Sequence, residues 1–280
     1  MIIGITGYTG VLGNQLLKKL SNYRSLKIIR FKGNILEKKK VTKWVLKNKF
    51  DIIIHLAAVV AIKKFNSSNI YSSDVNFLGT KNIIDSLNLT KKKTFIFFSS
   101  TSHVYKKSYK KINEKSELKP INLYGLSKLK AENYITSNSK INNYDYCIGR
   151  IFSFTSKNQS DDFFVPAIFK KFRKYKSPIK FDFENEFRDF IYIGDIVKII
   201  LKLIFLKKKG IFNICSGVKI STQEIVKKIS FYTKKKFLLR KYSKKKLIGL
   251  HGSNLKIRKF YKEKLKSMDY IILNYLTNTK

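Results

Sequence analysis

The segment that most constrains this chain is a short apolar strand, Ile2, Ile3 and Ile5, running straight into Thr6-Gly7-Tyr8-Thr9-Gly10-Val11-Leu12-Gly13. Leu16, Leu17 and Leu20 then follow at helical spacing. Three glycines between a strand and a helix make a phosphate cradle. Gly7 can turn tightly off the strand, Gly10 leaves no side chain between the backbone and a pyrophosphate, and Gly13 lets the helix pack close. The helix N-terminus then faces the anion with free N–H groups and the positive end of its dipole. Tyr8, Thr9, Val11 and Leu12 lie within the cradle and count with the glycines as ligand contacts. A glycine-rich turn with no ligand is the plain alternative, and the strand-turn-helix context favours the cradle.

Downstream, apolar strands alternate with amphipathic helices. Lys27 to Phe31 reads as a second strand, Val41, Trp44, Val45 and Leu46 mark a helix, and Phe50 to Ala58 is a continuous apolar run suited to a strand buried on both faces. Asp74 to Leu87 reads as a helix, Thr94 to Phe98 as a strand, about Tyr124 to Ser137 as a helix, and Tyr144 to Ile151 as a strand. This βαβα order predicts an α/β fold with a parallel, doubly wound sheet. Residues 153–187 are aromatic and loop-rich and read as a lid or substrate subdomain. The sheet pattern resumes at Phe190 to Ile193, with a helix over Ile196 to Leu206 and a strand over Ile211 to Cys215. The expected division is a nucleotide-binding domain over 1–152, completed by about 188–215, and a smaller mixed C-terminal substrate lobe from 153–187 and 216–280.

Charge requires its own argument. Lys+Arg 59 against Asp+Glu 18 gives a net charge of +41, which in general points to nucleic acid or an anionic membrane. Here arginine stands only at 24, 30, 150, 173, 188, 240 and 258, while lysine triplets at 38–40, 91–93, 207–209, 234–236 and 244–246 are spread along the chain. Lysine, isoleucine, asparagine, phenylalanine and tyrosine all have AT-rich codons, so genome bias accounts for the balance and no nucleic-acid partner is expected. Cys147 and Cys215 sit in apolar strands as small core hydrophobes, with no disulfide or metal spacing, so no metal is expected. The longest apolar run, Ile52 to Ile62, is too short to span a bilayer and contains His55, and no charged leader is legible. A reducing cytoplasm, with no membrane partner, is the expected setting.

Tyr124 and Lys128 stand four residues apart, on one helical face. A phenol with a pKa near 10 is a poor base at neutral pH, but an adjacent cation favours its phenolate and lets it exchange a proton with an alcohol or carbonyl. The pair follows a strand ending in Ser99-Ser100-Thr101, whose hydroxyls fall at the carboxyl edge of the sheet, where ligands bind in such folds.

With these residues the chain resembles the extended short-chain dehydrogenase/reductase family, also called the NAD-dependent epimerase/dehydratase family, whose members act mainly on nucleotide sugars. The resemblance covers Gly7/Gly10/Gly13, His55 to Ala58, Asn76 with Gly79-Thr80, Ser99 to Tyr105, Tyr124/Lys128, Arg150, Arg188 to Asp195 and Phe212 to Gly217. It implies a Rossmann-type sheet and a catalytic set in which Tyr124 is the acid/base, Lys128 lowers its pKa and holds the nicotinamide ribose, and Thr101 bonds the reacting oxygen, with Ser100 as fallback. It further implies Leu56, Ala57, Ala58, Asn76 and Ser99 as cofactor contacts.

Gln159 to Pro166 with Arg188-Asp189 and Asn213 to Gly217 is most similar to reductases of GDP-4-keto-6-deoxymannose. Arg188 would clamp the substrate diphosphate. Ser153 stands where the family has a nucleotide-holding asparagine, and Ser102-His103 stands where its dehydratases carry an acidic pair. Dehydration is therefore disfavoured, and His103 is read as a local hydrogen-bonding residue without a catalytic part. A nucleotide-sugar substrate is implied, with a retained-NAD 4-epimerase as the alternative reading; a silent dinucleotide sensor and an RNA-binding relative are weaker ones. The resemblance allows a homodimer.

Cofactor choice follows from an absence. Folds selecting NAD commonly carry an acid about 20 residues past the glycines; here none precedes Glu37, and Arg30 and Lys32 stand there instead. Cations at that place can neutralise the 2′-phosphate of NADP, so NADP is expected over NAD, with Arg30 responsible and Asn34 as an adenine contact favouring neither.

Overall fold

The structure is a computed structural model and describes residues 1–60, 69–139, 144–239 and 247–277. Ile62 at the end of the apolar run, Arg240 and the lysine triplet at 244–246 lie outside the described residues. The elements run β1 (Ile2–Thr6), α1 (Val11–Leu20), β2 (Lys27–Arg30), α2 (Lys38–Asn48), β3 (Ile52–His55), α3 (Asn69–Asn88), β4 (Thr94–Thr101), α4 (Leu123–Ser139) and β5 (Tyr144–Ile151). There follow β6 (Ser153–Thr155), α5 (Phe164–Lys174), β7 (Ile179–Phe181), β8 (Phe187–Arg188), β9 (Phe190–Tyr192), α6 (Ile193–Phe205) and β10 (Gly210–Ile214). The chain closes with β11 (Ile220–Ser221), α7 (Thr222–Thr233), β12 (Phe237–Leu239), β13 (Gly249–Leu250), α8 (Leu255–Arg258) and α9 (Met268–Thr277).

Six strands form one sheet in the order β10-β5-β4-β3-β1-β2, and every pair in it is parallel. The order reverses direction at β1, whose neighbours β2 and β3 follow it in turn, so the crevice at the carboxyl ends of β1 and β3 is the switch point where such sheets bind ligands. Both faces are apolar because helices cover both. Ile3, Ile5, Ile52, Ile54, Phe95 and Phe97 pack with Leu16 and Leu20 of α1 and Ile196 to Ile204 of α6. Ile53, Ile96, Phe98 and Ile148 pack with Val41 and Val45 of α2, Ile83 and Leu87 of α3, and Ala131 and Ile135 of α4. The alternating side chains of one strand thus serve two cores.

Outside this sheet two expectations change. Phe190 to Ile193 does not rejoin the sheet: β9 pairs with β6, and Ile193 already opens α6. The stretch 153–187 is not mainly loop, since α5 buries Val165, Ile168, Phe169 and Phe172 against Ile225, Val226 and Ile229 of α7 and Ile272 of α9. Pro166 hid that helix, yet it stands in the first turn, where a missing N–H is tolerated. Among the described residues no helix is long and apolar enough to cross a membrane.

Candidate active site

The glycine turn has the shape the sequence predicts. Gly7 adopts φ +68°, and a Cβ there would lie 2.5 Å from the Ala57 nitrogen. A Cβ on Gly13 would lie 2.2 Å from the Gly7 carbonyl oxygen, so helix and turn touch through backbone alone. Gly10 differs: its Cβ would meet only that same oxygen, at 3.4 Å, leaving open space on the crevice side. Gly10 caps α1 without a side-chain hydrogen bond, and the first turn carries no acidic residue. A cradle closed behind and open in front, at an uncompensated helix N-terminus, fits a dinucleotide pyrophosphate. Tyr8, Val11 and Leu12 are half-buried beside it and Thr9 is exposed.

A chain of hydrogen bonds holds the floor of this crevice. Thr80 Oγ1 donates to the Asn76 carbonyl at 2.7 Å, so it accepts from His55 Nε2 at 3.0 Å; His55 Nδ1 then accepts from Thr6 Oγ1 at 2.7 Å. Burial pushes His55 down to about 3, with the Lys128 charge adding to the effect, so the ring is neutral. Asn76, expected to contact cofactor, is fully buried and bonds the Val59 backbone in both directions as well as Ser127 Oγ. Its amide braces the Leu56-Ala57-Ala58 edge, itself half-exposed, rather than facing a ligand.

Thr101 and Tyr124 are brought together. Thr101 ends β4 and accepts from the His103 N–H at 3.2 Å, and its hydroxyl hydrogen-bonds Tyr124 on α4. Burial pushes the Tyr124 phenol up, and the group that lowers it is Thr101. This departs from the expected action of Lys128, whose Nζ sits 4.3 Å from the Phe98 ring centroid. Burial pushes Lys128 down to about 7, against an opposing pull from Glu132. Ser99, on the opposite side of the strand from Ser100, is half-exposed.

Ser100 is not available as a fallback. It is buried and donates to Glu132, whose carboxylate also takes Arg150 Nε at 3.1 Å and Arg150 Nη2 at 2.6 Å. Arg150 Nη1 reaches the Tyr105 hydroxyl at 2.8 Å, which donates to Asn213 Oδ1 at 2.7 Å. Both side chains of the ion pair are 2% exposed. This network supports Ser100, Lys128 and β10 from behind. Arg150 was legible as part of a motif; Glu132, four residues past Lys128, was missed although that spacing puts it on the same helical face.

Arg188 ends β8 and lies 4.8 Å from the Phe164 ring centroid. Glu186 Oε1 accepts from its Nε at 2.9 Å and its Nη2 at 2.8 Å, while Glu186 Oε2 meets Lys107 at 2.6 Å. Burial opposes the Glu186 charge, but Arg188 and Lys107 hold its carboxyl below the usual range. The next residue, Asp189, is fully buried and accepts from Ser216 N at 2.8 Å, Ser216 Oγ at 2.6 Å, Gly217 N at 2.9 Å and Gly252 N at 3.3 Å. Ser153 is half-buried at the start of β6, opposite Phe190. At the far end of the crevice Arg30 lies 5.5 Å from the Tyr8 ring centroid, and Asn34 is an exposed turn residue whose Oδ1 accepts from Leu36 N at 3.0 Å.

Fold and site together define an NAD(P)-linked enzyme of the doubly wound α/β class. The NAD dependent epimerase/dehydratase family matches residues 3–215, and the chain belongs to that family. It is 29% identical over 244 residues to a Methanocaldococcus jannaschii protein assigned as a UDP-glucose 4-epimerase, covering 80% of each chain. It is 30% identical over 238 residues to the GDP-6-deoxy-D-talose 4-dehydrogenase of Aggregatibacter actinomycetemcomitans, covering 80% of this chain and 78% of that one. Among solved structures, RMD of Pseudomonas aeruginosa complexed with NADPH superposes with a TM-score of 0.85 at 19% identity over 99% of both chains. The Thermus thermophilus UDP-glucose 4-epimerase with NAD gives 0.82 at 17% over 100% of both.

Proposed function

We propose that this enzyme reduces a 4-keto-6-deoxyhexose carried on a nucleoside diphosphate, with Tyr124 as proton donor and NADPH as reductant. The observation that carries the chemistry is the hydrogen-bonded pair Thr101 and Tyr124 at the carboxyl edge of β4, beside a glycine cradle open only at Gly10. The similarity to a GDP-6-deoxyhexose 4-dehydrogenase supports the substrate class.

The glycine turn, Leu56 to Ala58, Ser99 and Lys128 would hold the dinucleotide, which when bound supplies the hydride. Thr101 orients the phenol and the substrate oxygen together. The raised Tyr124 pKa suits a donor: the phenol keeps its proton until the substrate oxygen gains negative charge. Lys128, its pKa lowered by burial, is favoured as a cation when an anionic partner approaches, and that charge then assists the phenolate left behind. Arg188 and Ser153 would meet the substrate, with Arg188 on the diphosphate. Arg30 beside Tyr8, with no acid at the end of β2, supports NADPH over NADH.

A second reading, a 4-epimerase with retained NAD, is favoured by the 29% identical relative. The deciding experiment incubates the enzyme with NADPH and a GDP-4-keto-6-deoxyhexose while following reduced-cofactor absorbance. Stoichiometric oxidation is expected. No net consumption, alongside interconversion of UDP-glucose and UDP-galactose, would refute reduction in favour of epimerisation.

A further inference from the structure

We propose that His103 is a sugar-recognition residue, donating a hydrogen bond from Nε2–H to the hexose between Tyr124 and Arg188. The proposal rests on the nucleotide-sugar reading above and deepens it.

The proton position follows from the partners of Asn122. The Gly125 backbone N–H can only donate, and it donates to Asn122 Oδ1 at 2.8 Å. The other end of that amide, Nδ2, is therefore the group 3.0 Å from His103 Nδ1. An NH₂ group can only donate, so Nδ1 accepts and the neutral ring carries its proton on Nε2. Burial, with the Arg188 charge adding to it, pushes His103 down to about 4, so this form persists at neutral pH. Among the described residues none takes the Nε2 proton.

Placement supplies the ligand. His103 follows Thr101 by two residues in a short 3-10 turn, and its backbone N–H holds the Thr101 hydroxyl. Its ring stands edge-on to the Tyr124 ring, with centroids 5.9 Å apart and planes at 81°. The charges of Arg188, Glu186 and Lys107 also act on it. A sugar whose C4 meets Tyr124 and whose anomeric diphosphate meets Arg188 would pass the ring that stands against Tyr124 and within the field of Arg188. The backbone is fixed there too, because a Cβ on Gly125 would lie 2.3 Å from the His103 carbonyl oxygen. A neutral donor so held reads a hydroxyl without competing with Tyr124 for the catalytic proton.

The test compares Kd values for GDP-mannose and GDP, and for UDP-glucose and UDP, by calorimetry on wild type, His103→Phe and His103→Gln. Phe keeps the ring contact with Tyr124 and removes the donor; Gln restores an N–H near the same place. The expected result is that His103→Phe weakens the better-bound nucleotide sugar about tenfold, leaves its nucleoside diphosphate within about twofold, and is largely rescued by Gln. Unchanged sugar binding in His103→Phe, or equal loss of sugar nucleotide and free diphosphate, would overturn the proposal while leaving the nucleotide-sugar reading intact. Failure of wild type to bind either sugar nucleotide would overturn both.

Discussion

Arg150→Met should be among the most damaging single changes in the chain. The guanidinium and the Glu132 carboxylate are each 2% exposed, joined at 2.6 Å and by two further contacts at 3.1 Å. Removing the cation leaves a buried carboxylate with Ser100 as its remaining donor in this network and takes from the Tyr105 hydroxyl the donor it accepts, leaving its own bond to Asn213. Breaking a buried pair in this way costs about 3–5 kcal/mol, because an uncompensated charge remains. Against a total stability of about 5–15 kcal/mol, that is about a fifth or more. At roughly 2–4 °C per kcal/mol for a chain of this size, Tm should fall by about 6–20 °C. Glu132→Leu should cost a similar amount, while the double variant Glu132→Leu/Arg150→Met removes both charges and should recover most of either loss. Urea unfolding of wild type, both singles and the double supplies the cycle. Additive losses, or an Arg150→Met cost below about 1 kcal/mol, would refute the reasoning.

The two glycines of the cradle should separate folding from binding. Gly13→Ala should express largely unfolded because its Cβ meets backbone, whereas Gly10→Ala should keep its circular dichroism and lose about tenfold or more in cofactor affinity; equal behaviour would show the cradle misread. Tyr124→Phe should lower kcat by about a thousandfold with cofactor Kd nearly unchanged, and near-normal turnover would sink its role. Arg30→Ala should erase a preference for NADPH over NADH measured by fluorescence titration; a preference absent in wild type, or one that survives the change, would count against Arg30. Stability should fall from pH 6.5 toward pH 4, since His55, at about 3 in the fold, stays neutral while an unfolded histidine gains a proton. His55→Gln should make that slope shallower in urea midpoints, with His103 and His251, also lowered by burial, supplying what remains, and an unchanged slope would exclude His55 as a source.

What the sequence made legible is what lies close along the chain. The cradle spans Thr6 to Gly13, Tyr124 and Lys128 share one helical face, and the strands of the sheet are apolar runs because both faces are covered. What stayed hidden depends on distance. Glu132 and Arg150 are 18 residues apart, His55 meets Thr6 across 49 and Thr80 across 25, and no local periodicity announces such pairs. Ser100 and Asn76 carried the right chemistry but the wrong orientation: each turns its polar group into the protein to satisfy a buried partner. Phe190 to Ile193 looked like a sheet strand because an apolar run records burial, not which neighbour provides it.

The four donors gathered on Asp189 bear on how the segment around Arg188 can be exchanged between relatives. Arg188 is held in place by its neighbour, and that neighbour is tied to loops 27, 28 and 63 residues further along. Burial raises the Asp189 pKa to about 6 despite these bonds, so a carboxylate stripped of even one donor would be harder to keep charged. A chimaera that grafts a new segment around Arg188 without bringing Ser216, Gly217 and Gly252 from the same parent would carry the arginine but not its anchorage. Crossover points that preserve this anchorage therefore leave Asp189 together with Ser216, Gly217 and Gly252.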